Sequence, residues 1–454
     1  MGALSMSLDL SSSIDGPYNI PNWSIDGYCC QTDTPSNTFC RGPIWLPGHL
    51  LIESVVERVA SACGLAPHAV RLKNLYQPGD TALGGQLMPH CTLPQLVQSV
   101  TDKVGYASLS AEVAAFNQGS RFVKQGLAVS PFRYAMGHAT GYTAVVTVKD
   151  DGSVLVEQSG CELGQGLNVK QAQCAALTLG VPIELVKVSG VTSKVSTGST
   201  GGSTTSEGNV ASVRLACEDL MRKLQPVRAR QEAQLYGGRP LSWAELVSAA
   251  VAEGVDKRGH GCYSKKDRET TKGGQVVLPG DSGYGGDEYC AFGACLTHLR
   301  YDALNAELTV LRAEIVTDQG YSLNPLIDAG QVQGAYVMGL GYVLTEQFGW
   351  AGGSGTNTTN GTWEYKPPSS LDIPIVFDVS FLADSPNSAG IFSSKAVGEP
   401  ALLASASVLC ALRHAITEVR AEMGVTAPFD LSAPATPDEV QKLCMLDWKK
   451  FGLV

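Results

Sequence analysis

One carboxylate and two glycine-rich turns stand out as groups that could do chemistry together. The carboxylate is Glu399, in the run Ser393-Ser394-Lys395-Ala396-Val397-Gly398-Glu399-Pro400 that leads into a long apolar segment ending near Leu412. Pro400 suits a first helical position, where its missing N–H is not needed and its φ is already helical. Gly398 lets the backbone turn sharply, so Glu399 sits at a helix mouth beside an apolar wall. A carboxylate held there is placed to act as a general base. The same position also suits an acidic residue that only offsets the helix dipole, and spacing alone leaves both readings open. The first turn is Gly160-Cys161-Glu162-Leu163-Gly164-Gln165-Gly166, which opens a helix over Leu167–Leu179. Its glycines and the amide of Gln165 can face an anion, or the glycines can simply satisfy a tight turn. It has neither the GxGxxG spacing nor the lysine of a nucleotide loop. The second is Thr197–Gly208, rich in Gly, Ser and Thr and including Gly202, Ser203 and Thr205, between a strand and an apolar helix. Hydroxyls and glycines at a helix start make another anion cradle. Arg41 adds a single cation in a polar loop, with a solvated side chain as the plain alternative.

The elements that must position these residues follow from periodicity. Leu51, Val55, Val56, Val59 and Ala60 recur at helical spacing from His49 to Cys63, and Gly64 closes that helix. A short helix follows near Leu93–Val100. Extended structure starts around Pro131, and Tyr142–Lys149, Asp150-Asp151-Gly152 and Ser153–Gln158 read as a hairpin. Val186–Val191 is a strand and Val210–Leu224 a helix. Residues 225–287 read as a polar surface excursion around Trp243–Val251. Gly293–Leu299 and Leu308–Asp318 pair across a turn near Ala303–Asn305, a helix over Ile327–Leu344 carries Gln331 and Gln333, and Ile375–Phe381 is a last strand. Strands and helices mixed without strict alternation predict an α+β fold.

Composition bounds the function classes. With 454 residues, 44% hydrophobic and 17% charged, the chain can bury substantial cores in two or more domains. A net charge of −10 argues against nucleic acid and anionic membrane surfaces as partners. The longest apolar run, around Ala401–Leu412, falls short of the roughly 20 residues that span a bilayer, so no membrane partner is expected. The N-terminal residues lack a basic region followed by an apolar core, so the expected location is cytoplasmic with reduced thiols. The 13 cysteines are scattered without CxxC or Cys–His spacing, which predicts no zinc or cysteine-ligated iron–sulfur site in this chain.

Five ordered stretches carry a resemblance: GCELGQGLNVKQAQ, STGGSTTSEGN, DQGYSLNPLIDAGQVQGAYVMGLGY, NGTWEYKPP and SSKAVGEPALLASASV. Together they resemble the molybdopterin domain of the xanthine dehydrogenase/aldehyde oxidase family, the molybdenum hydroxylases. The STTSE and GTWEYKPP variants are most similar to the plant-type aldehyde oxidases. The resemblance implies a two-part molybdopterin-binding fold of mixed sheets and packed helices. Residues 1–100 would be the remainder of a first subdomain, and 101–454 a second subdomain with the GEP loop. It implies a molybdenum–molybdopterin cofactor, held through one pterin dithiolene with no protein ligand on the metal. Glu399 would be the base that deprotonates a water-derived oxygen nucleophile, which attacks an aldehyde carbon or an electron-poor ring carbon. Electrons would leave through [2Fe–2S] clusters and FAD in modules outside this chain. Carried over by motif, the cofactor residues are Arg41 (in SNTFCRG), Gly164, Gln165, Gly166, Gly202, Ser203, Thr205 and Gln331. The implied partners are a small aldehyde or N-heterocycle and a second copy in a homodimer. A family GGFGGK-like loop would precede residue 1. Pro43–Pro47 replaces the family's FGGPQ or APGEVQ, Ser11–Gly27 reads as an insertion, and Ala401 stands for the second proline of GEPP. These departures keep a xanthine dehydrogenase-like purine hydroxylase, and a non-catalytic remnant of the fold, as alternatives to aldehyde oxidation.

Overall fold

The computed structural model describes residues 13–28, 30–31, 40–137, 141–190, 192, 195, 199–234, 239–263 and 289–447. Residues 36–39 of the arginine motif, residues 197–198 of the second cradle and residues 235–238 and 264–287 of the expected excursion lie outside them.

Helices α1 (Trp45–Cys63), α2 (Pro67–Asn74), α3 (Leu93–Val104) and α4 (Tyr106–Gly119) precede the sheets among the described residues. Helix α1 starts four residues before the expected His49. It stops at Gly64, whose φ of 64° lets its N–H reach the carbonyls of Ala60 and Ser61. Strand β1 then runs Val123–Met136, well before the Pro131 at which extended structure was expected. Nearly every residue of β1 is buried, including Lys124 and Arg133. A strand covered on both faces has no polar–apolar alternation to read.

Among the described residues, the remaining strands and longer helices are β2 (Tyr142–Val148), β3 (Val154–Gln158), α5 (Leu167–Leu179), β4 (Val186–Ser189), α6 (Thr205–Gln234), α7 (Trp243–Ala252), β5 (Arg258–Tyr263), β6 (Tyr289–Asp302), β7 (Glu307–Asp318), α8 (Pro325–Leu340), β8 (Val376–Phe381), α9 (Ala406–Glu422) and α10 (Pro437–Cys444). They build two four-stranded sheets, ordered β1-β6-β7-β8 and β4-β3-β2-β5. In the first, β1 and β6 pair antiparallel from Val123↔Asp302 to Met136↔Tyr289, and β8 lies parallel to β7. In the second, β2 and β3 form the expected hairpin, and β4 lies parallel to β3. Each sheet mixes parallel and antiparallel pairs, as an α+β fold does.

The stretch read as a polar excursion instead contains the C-terminal end of α6, all of α7 and strand β5, which pairs antiparallel with β2. The reason is local. The buried positions of β5 are Gly259, Gly261 and Tyr263, so two of its three inward residues carry no apolar side chain. They are glycine because α6 lies on them: a Cβ at Gly261 would sit 2.0 Å from the Ser212 carbonyl oxygen.

Residues Pro400–Ser405 form a tight 3-10 stretch that runs straight into α9. The combined segment Pro400–Glu422 is long and apolar enough to cross a bilayer, but 78% of its most apolar window is buried in the protein. It is the core helix of the first sheet. Ala411, Leu412, Ala415 and Ile416 are fully buried in one cluster with Phe132, Tyr134, Leu402 and Leu403. Its approach to β1 is so close that a Cβ on Gly126 would lie 1.9 Å from the Ala411 carbonyl oxygen. Gly126→Ala is therefore expected to destabilise by about 1–3 kcal/mol or more, since backbone rather than a side chain must move. Equilibrium denaturant unfolding checks this.

Candidate active site

Glu399 is delivered to the interior by the turn ahead of Pro400. Its backbone is helical (φ −80°, ψ −39°), and its side chain makes no capping hydrogen bond. The Tyr134 hydroxyl donates to Glu399 Oε2 at 2.8 Å. The Glu399 backbone N–H donates to Ser203 Oγ at 2.8 Å. The second cradle therefore holds the backbone of Glu399. Burial pushes the Glu399 carboxyl above the ordinary glutamate range, against the opposing pull of the Tyr134 and Ser203 hydroxyls, the Gly42 N–H and the Arg41 charge. A raised carboxyl is the better proton acceptor near neutral pH.

Arg41 arrives through a strained turn. Gly42 (φ 63°) and Ile44 (φ 74°) both lie in the left-handed region, which a β-branched residue enters only when its surroundings impose it. Arg41 Nη2 donates to Gln331 Oε1 at 2.9 Å, and Gln331 Nε2 donates to the Gly164 carbonyl at 3.2 Å. Three residues expected from distant motifs are thus joined in one hydrogen-bonded line across α8.

The GQG turn differs from an open anion cradle. Its N–H groups are taken by the chain's own Glu162, whose carboxylate accepts from Gly164 at 3.0 Å, Gly166 at 2.9 Å and Asn168 at 3.0 Å. The Gln165 amide closes its own loop, accepting from Leu163 N–H at 2.6 Å and donating to the Cys161 carbonyl at 2.9 Å. Gly166 (φ 73°) is pressed on Ile327 of α8; a Cβ there would lie 2.4 Å from Ile327 Cδ1. The second cradle is more open. Nothing lies within 4 Å of a Cβ built on Gly201, and Gly202 and Ser203 both have left-handed φ. Thr200 Oγ1 accepts from Cys161 N–H at 3.0 Å, which ties the two turns together.

A cavity of about 280 Å³ gathers these groups: Arg41, Gln165, Gly202, Ser203, Thr205, Gln331 and Glu399 all line it. Gly164 and Gly166 support it from behind through Gln331 and Ile327. A wider depression of about 690 Å³ lies over Thr147–Asp151 and Val255–Arg258. It is open, and its Lys257 and Arg258 are already paired with Asp150 and Asp256, so the smaller cavity is the candidate site.

Several lining residues were not singled out in the sequence. Lys170 pairs with Asp328 at 2.8 Å, and Lys395 pairs with Asp318 at 2.6 Å. Glu207 is fully buried and pushed up to about 8 by burial, outweighing the Tyr289 hydroxyl and the Lys170 charge. Tyr289 donates to Glu207 Oε2 at 2.9 Å and accepts from the Ala396 N–H at 2.8 Å. Lys170, Glu207, Asp328 and Lys395 lay inside the quoted motifs, so a signal existed. Tyr134 lay in none.

Comparison with known proteins places this geometry. Models of the molybdopterin cofactor-binding domain match residues 3–75 and 99–374. The chain belongs to the molybdenum hydroxylase family. It is 34% identical over 442 residues to xanthine dehydrogenase/oxidase of Gallus gallus, covering 95% of this chain and 31% of that protein. It is 35% identical over 459 residues to xanthine dehydrogenase 1 of Arabidopsis thaliana, covering 96% and 33%. The chain thus spans about a third of the length of these relatives. Among solved structures it is similar in fold to quinoline 2-oxidoreductase from Pseudomonas putida 86, with a TM-score of 0.78 at 21% identity over 97% of this chain and 57% of that one. It is likewise similar to the aldehyde oxidoreductase from Desulfovibrio gigas, with a TM-score of 0.75 at 21% identity over 98% and 46%.

The residues present fit a molybdopterin group. Open space in front of Gly201 and Gly202 admits close approach, and the N-terminus of the long α6 opens on the cavity through Thr205 and Ser206. A helix N-terminus with a guanidinium nearby favours an anionic ligand. Glu207 also leaves a thermodynamic mark. A carboxyl raised from about 4.5 to about 8 on folding binds more protons in the native state. Stability is then unaffected below the unfolded value and falls as pH rises between the two. Glu207→Gln is expected to remove this fall, which is on the order of a few kcal/mol. Urea unfolding of the wild type and the variant at pH values spanning both ends of that window measures it.

Proposed function

We propose that this chain forms the hydroxylation centre of a molybdenum enzyme that oxidises small aldehydes to carboxylates, with Glu399 as general base. The observation that carries the reading is Glu399 itself: a carboxyl raised by burial, bonded to Tyr134, on the wall of a cavity it shares with Arg41 and Gln331. When bound, the molybdopterin group supplies a water-derived oxygen and takes up two electrons, which pass to the family's iron–sulfur and flavin modules outside this chain. The chain's own residues do the rest. Glu399 accepts the proton of the oxygen nucleophile on its carboxylate. Arg41, fixed by Gln331, presents its remaining N–H donors to anionic oxygens of the cofactor region. Leu163, Leu323, Ala396 and Val397 line the cavity with apolar surface that keeps bulk water from the reacting carbon.

The lining favours an aldehyde over a planar ring. Among the described residues no aromatic side chain lines the cavity, and Glu207 is engaged with Tyr289. A purine is held best by aromatic faces and ring-edge acceptors. A second reading, purine hydroxylation, is supported by the relatives, which include xanthine dehydrogenases at 33–35% identity. Comparing kcat/KM for an aldehyde series with xanthine and hypoxanthine separates the two. In either case Glu399→Gln is expected to lower kcat at least ~10²-fold while molybdenum content, read by mass spectrometry of the metal, stays at the wild-type level. Normal turnover in the variant sinks the base assignment, and a folded wild-type chain that never takes up molybdenum marks a scaffold rather than an enzyme.

A further inference from the structure

Glu399 is gripped by a residue of β1 that no motif singles out. We propose that Tyr134 is the positioning residue of the base: its hydroxyl fixes one carboxylate oxygen of Glu399 and thereby sets how the other meets the cavity. The inference rests on the reading of Glu399 as general base.

The geometry is specific. Tyr134 and Glu399 are 265 residues apart in sequence, yet meet at 2.8 Å between the hydroxyl and Oε2. The Tyr134 ring is 5% exposed and stacks on Trp45, with centroids 4.7 Å apart and planes at 28°. Trp45 is in turn backed by the Arg133 guanidinium, 5.5 Å from its ring centroid, and the same guanidinium lies 5.6 Å from the Tyr76 ring. Arg133 is anchored by Asp15 at 2.6 Å and by the Gly16 carbonyl at 2.7 Å. A buried ion pair therefore braces an aromatic stack, and the stack aims a hydroxyl at the base. Residues on a strand of a packed sheet hold an orientation more tightly than residues on loops. The other groups facing Glu399 come from loops: Arg41 and the Gly42 N–H from the turn before α1, and Ser203 from the cradle before α6. Cys40 sits beside Arg41, and Lys170, Glu207, Asp328 and Lys395 share the cavity. Among the described residues, Tyr134 is the group shown to reach the carboxylate from within a strand.

The test is the titration of Glu399 in the full chain, followed by infrared difference spectroscopy with Glu399→Gln as the blank, so that no cofactor is needed. Tyr134→Phe removes one oxygen and keeps the ring. Losing a donor to the ionised form raises the carboxyl pKa, so the midpoint is expected to move up by roughly half to one pH unit. In the loaded enzyme the acid limb of the kcat/KM profile moves up with it, and kcat falls more than KM changes. A fluorinated tyrosine at 134, a stronger donor of the same shape, is expected to move the midpoint down; it decides the matter if Tyr134→Phe does not fold. Midpoints unmoved in folded variants overturn the proposal. If the midpoints shift but Glu399→Gln turns over normally, the contact stands and the base reading falls.

Discussion

The docking of the Pro400–Glu422 segment onto β1 is the contact on which the rest of the site depends. Glu399 stands at the start of that segment and Tyr134 near the end of that strand, so the same packing that closes the core also brings them to 2.8 Å. The approach is close enough that only glycine fits at 126. Apolar burial drives it: Leu402, Leu403, Val408, Ala411, Leu412, Ala415 and Ile416 are at 0% exposure. A site built on the main core contact of a domain inherits that contact's rigidity, which a surface loop cannot give.

Three loops then converge on that fixed point, and each is held by its own internal bonds before any ligand arrives. The GQG turn wraps its own Glu162, the second cradle is tied to it through Thr200, and the Arg41 turn is held by Gln331. Such pre-organisation lowers the ordering cost of binding a large anionic cofactor. It also explains the strained backbone at Ile44 and Ser203, where the side chain or the adjoining N–H must face inward.

The charge pattern around the cavity follows the same logic. Lys170 and Lys395 are each neutralised by an aspartate, and Glu207 is held up in pKa by burial. That leaves Arg41 and the start of α6 as the positive features facing the interior, and Glu399 as the carboxyl bonded to Tyr134. Paired buried charges add little net stability, but they keep a small cavity from carrying several competing ionisations.

Much of this was legible in the sequence. Helix α5 was read to the residue, and the β2–β3 hairpin, β7 and β8 to within a residue or so, because their periodicity and turn residues are local signals. Glu399 and the two glycine-rich turns drew notice by residue type and spacing, with a plain reading beside each, and Arg41 and Gln331 took their roles from the resemblance. Strand β5 was missed because its inward residues are mainly glycine, and β1 was read short because a strand buried on both faces has no alternation. Tyr134 could not be found at all. A tyrosine in a strand is ordinary, and only the docking of a helix from the far end of the chain turns its hydroxyl toward a base. The sequence by itself determined which residues could carry the chemistry, through their types and local turns. The tertiary structure decided which of them meet, because contacts between residues hundreds of positions apart are set by core packing and leave no local trace.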